Sequence, residues 1–80
     1  MITDYEHMLI SALRYALGRR TYIVELTCKY IEKQIPMMSD QCKKIMIEDI
    51  EQQEQFGYGD ECDKADLMHL LAKLKENIDE

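Results

Sequence analysis

The chain has 80 residues and a formal net charge of −6, with 46% hydrophobic and 32% charged residues. That composition excludes a disordered chain, and the length excludes a second core-bearing domain, so one domain over 1–80 is expected. No apolar run approaches the ~18–20 residues of a membrane-spanning helix. The opening Met1-Ile2-Thr3-Asp4-Tyr5-Glu6 lacks the basic and apolar regions of a signal peptide, so a cytoplasmic protein is expected.

The first apolar set is Tyr5, Met8, Leu9, Ala12, Leu13, Ala16 and Leu17, the spacing of an amphipathic helix. Thr3 and Glu6 form a capping-box pair at its start, and Gly18 stands where a helix ends. A second helix is predicted from Thr21 to about Gln34, ended by Pro36. Its apolar residues Ile23, Val24, Leu26, Cys28, Tyr30, Ile31 and Ile35 encircle much of it, which points to burial on more than one side. Ser39 caps a third helix carrying Cys42, Ile45, Met46, Ile50 and Gln53, which closes at Gly57. Asp60 or Asp63 caps a fourth, with the stripe Leu67, Met68, Leu71, Leu74 and Ile78. The expected fold is all-α, a small bundle of four helices.

Such a bundle has a thin core, and self-association is a common remedy. At ~100° per residue, Ile10 projects off the stripe of the first helix, beside Leu17. With the wide girdle of the second helix, this predicts a homo-oligomer. Met37-Met38, after Pro36, offers an adaptable exposed contact.

Charge is uneven along the chain. Residues 1–47 sum to +2 and residues 48–80 to −8. All three arginines, Arg14, Arg19 and Arg20, fall within seven consecutive residues, flanked by Tyr15 and Tyr22. Guanidinium forks bind phosphates and carboxylates through paired hydrogen bonds and stack on aromatic rings. Thr21 opens the second helix, whose free amides favour an anion. Together these residues make a candidate cradle for a phosphate-bearing ligand, with Asp60 placed to read ribose hydroxyls. The structural alternative is that the arginines bind the chain's own carboxylates, such as Asp60, Glu61 or Asp63.

Other chemistry is thinly represented. The cysteines at 28, 42 and 62 form no C-x-x-C pair, so neither a metal site nor a disulfide scaffold is expected. No nucleophile, phosphate-loop or paired-histidine motif is present, so neither catalysis nor a cofactor is expected. The acidic whole argues against direct DNA binding. Glu48, Asp49, Glu51 and Glu54 could form an acidic face that mimics nucleic acid, or a plain solvated helix face.

The segment Arg14-Tyr15-Ala16-Leu17-Gly18-Arg19-Arg20-Thr21-Tyr22-Ile23, with Tyr58-Gly59-Asp60-Glu61-Cys62-Asp63, resembles small phage and prophage proteins of Gram-positive bacteria. The resemblance implies an accessory protein acting in the host cytoplasm, in a class that includes inhibitors of host defence. Two roles follow as expectations. One is an oligomeric sponge that sequesters a cyclic-nucleotide or ADP-ribose-type immune signal at the arginine cluster. The other is an anti-CRISPR-like inhibitor that binds a host nuclease or effector through the acidic helix face.

Overall fold

A computed structural model describes residues 2–17, 21–56 and 61–78, without the side chains at 21, 22, 54–56 and 61–63. The capping box forms as its sequence requires. The Glu6 amide donates to Thr3 Oγ1 at 3.1 Å and the Thr3 amide donates to Glu6 Oε1 at 3.1 Å. This opens helix α1 (Asp4–Leu17). Helix α2 spans Thr21–Gln34 and tightens into a 3₁₀ turn, Ile35–Met37, which takes Pro36 near its start, where a missing N–H costs nothing.

Ser39 caps α3 (Asp40–Phe56), its hydroxyl accepting the Cys42 amide at 3.2 Å. Helix α4 is Glu61–Glu76. Asp63 therefore lies inside the first turn of α4 instead of capping it, while Asp60, Gly18 and Gly57 lie outside the described residues. Every regular element among the described residues is a helix. No helix among them is long and apolar enough to cross a membrane.

The principal contacts run α1 to α2, α2 to α4, α4 to α3 and α3 to α1. The helices thus form a ring in which α2 and α3, consecutive in sequence, stand across from each other. The link between them crosses one end of the bundle, held down by buried Ile35 and Met38. One cluster of buried side chains fills the centre, including Leu13, Ile31, Met46, Ile50, Leu67 and Leu74. Each fully buried aliphatic side chain stabilises the fold by roughly 1.5–3 kcal/mol relative to exposure.

Several readings of the apolar pattern are corrected by the structure. The buried sector of α1 is Leu9, Ile10, Leu13 and Ala16, with Glu6, whereas Tyr5, Met8 and Ala12 face solvent. Ile10, expected off the stripe, is only 4% exposed. It is a core residue and offers nothing to a second copy. The reason is geometric: the apolar arc of α1 is wider than two neighbouring helices cover, and α2 and α3 take the side centred on Leu13. In α4, Leu70 joins the core beside Leu67, Leu71 and Leu74, with Met68 at its edge; Ile78, expected on the same stripe, lies past the end of α4 and packs against the core from there. Met37 is exposed and Met38 is buried, so only the first is a surface contact.

Lys43 is, like Glu6, a buried charged residue. Its Nζ donates to the Asn77 carbonyl at 2.7 Å and lies 3.5 Å from Asp40 Oδ1. A cation there satisfies an open carbonyl just past the end of α4 and opposes the negative end of the helix dipole.

Candidate functional site

Arg14 sits in the last turn of α1 and turns toward α3. Its Nε donates to Asp49 Oδ2 at 2.8 Å, with the arginine side chain 60% exposed and the aspartate 12%. The hydrogen bond to Asp49 raises the pKa of the guanidinium above its ordinary value, with the carboxylate's charge adding to it. One arginine of the expected cradle thus engages an internal carboxylate, though not one of the three proposed from sequence. Tyr15 is exposed beside it. Arg19, Arg20 and Asp60 lie outside the described residues, as do the side chains of Thr21 and Tyr22.

The acidic face of α3 is interleaved with cations. Asp49 holds Arg14, and Glu51 Oε2 lies 3.4 Å from Lys75 Nζ. An open cavity of about 510 Å³ there is lined by Lys44, Ile47, Glu48, Glu51, Lys75 and Ile78. Two lysines and two glutamates line the same hollow. That arrangement differs from the uniform negative row of a nucleic-acid backbone.

A second surface feature has the opposite character. Between α1 and α2 runs a groove of about 310 Å³, lined by Tyr5, Met8, Leu9 and Ala12 on one side and Leu26, Thr27, Tyr30 and Ile31 on the other. None of these side chains is charged. Met8 is 71% exposed, Tyr30 53% and Leu26 51%. Ile23 continues the apolar surface along α2. Single exposed apolar residues are ordinary, but a contiguous set along two helices marks an interaction surface. At one end, the Tyr5 hydroxyl donates to Gln34 Oε1 and lies beside Tyr30. These contacts tie the start of α1 to the end of α2 and hold the rings at the groove mouth.

No family model, curated protein or solved structure matches the chain. The functional reading therefore rests on the residues themselves.

Beneath this surface, Glu6 organises one end of the bundle. Its Oε2 accepts the Ser39 amide at 2.7 Å and the Ser39 hydroxyl at 2.8 Å, while Oε1 accepts from Thr3. One carboxylate thus ties the starts of α1 and α3 together. The backbone hydrogen bond from Ser39, then that from Thr3, holds its carboxyl down to about 2. Cys42, on the first turn of α3, is buried and free. Burial, then the Glu6 charge, pushes its thiol up to about 11, which leaves it a poor nucleophile.

Among the described residues no cluster of His, Cys, Asp and Glu is arranged to hold a metal ion. His69, exposed on α4, lies 3.0 Å from Glu32 on α2.

The groove was half visible in the sequence. The encircling apolar pattern of α2 signalled it, since Val24, Cys28 and Ile31 face the core while Ile23, Leu26 and Tyr30 do not. Its α1 wall was missed because Tyr5, Met8 and Ala12 share a continuous arc with core positions.

Proposed function

We propose that the protein acts by binding, without turnover, and that the bound partner is another protein seated in the α1–α2 groove. The exposed, uncharged apolar lining of that groove carries this reading. Covering apolar surface stabilises a complex by roughly 25 cal/mol per Å² before association costs. A phosphate-bearing ligand gains little from such a lining, whereas a protein surface with its own apolar ridge gains directly.

A photo-crosslinking residue placed at position 26, compared with one at position 48, tests this in cells. Adducts from position 26 alone support the groove. Adducts from position 48 alone would return the role to the acidic face of α3.

A second reading keeps the arginine cluster as a site for a phosphate-bearing nucleotide signal. Arg14 favours it, because Asp49 fixes its guanidinium while leaving it exposed in the last turn of α1. Thermal unfolding against cyclic dinucleotides, cyclic trinucleotides and ADP-ribose variants tests it. A ligand at a hundredfold excess over Kd stabilises by about 2.7 kcal/mol, a shift that Arg20→Ala should abolish. No shift with any of these ligands would end this reading.

A further inference from the structure

We infer that the occupant of the α1–α2 groove is a second copy of this chain, so that the protein forms a two-fold dimer through α1 and α2. The inference rests on the reading of the groove as a docking surface and adds the identity of what covers it.

Area is the first ground. The exposed portions of Tyr5, Met8, Ile23, Leu26 and Tyr30 amount to roughly 500 Å², taking about 200 Å² for a large side chain. Two such faces together bury roughly 1,000 Å², the area a specific protein interface has to clear. Ala12, Thr27 and the intervening backbone add to that figure.

Shape is the second. A two-fold interface must be complementary to itself. This face has a groove flanked by two helical ridges, with Met8 prominent on one and Leu26 on the other. Rotation about an axis running along the helices, offset from the groove toward α1, sets α1 of each copy in the groove of the other.

Charge is the third. Two chains of net charge −6 repel at long range, so a contact between them needs a neutral centre and a matched rim. The groove lining supplies the neutral centre. For the rim, the hydrogen bond between Tyr5 and Gln34 places the start of α1 level with the end of α2. Asp4 and Lys33, both exposed, stand at that end on α1 and α2 respectively. The same rotation brings Asp4 of each copy toward Lys33 of the other, opposite in sign. The tyrosine rings held at the groove mouth lose less freedom on association than free ones would.

Light scattering after size exclusion, at micromolar concentration, tests the dimer. The expected mass is twice 9.5 kDa. Leu26→Glu and Met8→Glu should each give the monomer mass with unchanged helical circular dichroism, because both side chains lie outside the core. Leu26→Ser, which carries no charge, should weaken association without abolishing it. Glu48→Ala should leave the dimer intact. A monomeric parent chain, or a dimer that survives Leu26→Glu and Met8→Glu together, overturns the inference. The fate of the broader reading is separate. If the parent chain is monomeric, a crosslink from position 26 to a different protein keeps the docking surface and removes only the second copy.

Discussion

Glu6 joins two helix starts with one carboxylate, which makes it the residue whose loss should be felt most widely. Its folded-state pKa of about 2 lies below the ordinary 4.5. Its contribution to stability is therefore whole above the unfolded value and is lost as pH falls from about 4.5 toward 2. Glu6→Gln keeps the volume but sets an amide N–H₂ against donors of Thr3 or Ser39. The expected cost at neutral pH is ~1–3 kcal/mol, a fall in the midpoint of roughly 4–8 °C for each kcal/mol. Thermal unfolding across pH checks both parts, since the variant should also lose this component of acid sensitivity. An unchanged acid limb would show that other carboxylates govern it. Cys42, buried below Glu6, should resist thiol reagents in the folded protein and react after unfolding, which peptide mass spectrometry reads directly. The Thr3–Glu6 half of this cluster was legible in the sequence, because a capping box lies within one turn. The Ser39 half was not, because 33 positions separate the partners.

At the scale of one element, α1 shows how an apolar stripe can be read correctly and oriented wrongly. Its seven periodic positions identify the helix, yet they span both its buried side and one wall of the groove. Ile10 and Met8, two residues apart, should therefore respond very differently to truncation. Ile10→Ala should destabilise by ~2–5 kcal/mol, as large-to-small changes in a packed core do. Met8→Ala, measured in the monomeric Leu26→Glu background, should stay within about 0.5 kcal/mol, the range for surface substitutions. Denaturant unfolding of the two variants measures this, and the reverse ranking would place the buried sector back on the stripe expected from sequence. Helix α2 is the complementary case. Its apolar girdle pointed to burial on more than one side, and within the chain the structure buries only the side of Val24, Cys28 and Ile31, leaving Ile23, Leu26 and Tyr30 outside the core.

For the whole molecule, a dimer couples stability to concentration, because association draws on the folded state alone. The unfolding midpoint of the parent chain should rise with protein concentration, while that of Leu26→Glu should stay constant. Calorimetry over a wide concentration range checks this, and a flat parent curve counts against association. The sequence by itself determined four helices, the caps at Thr3 and Ser39, the stop before Pro36 and most of the aliphatic core. These are decided within a turn or two, where hydrogen bonds and side-chain spacing depend on near neighbours. Only the tertiary structure decided the ring order α1, α2, α4, α3, the pairing of Arg14 with Asp49, the clamp from Glu6 to Ser39 and the exposed wall of Tyr5 and Met8. Each of these joins residues far apart in the chain or depends on which arc of a helix its neighbours cover. Helical periodicity gives the apolar arc, and packing chooses the part of it that leaves water.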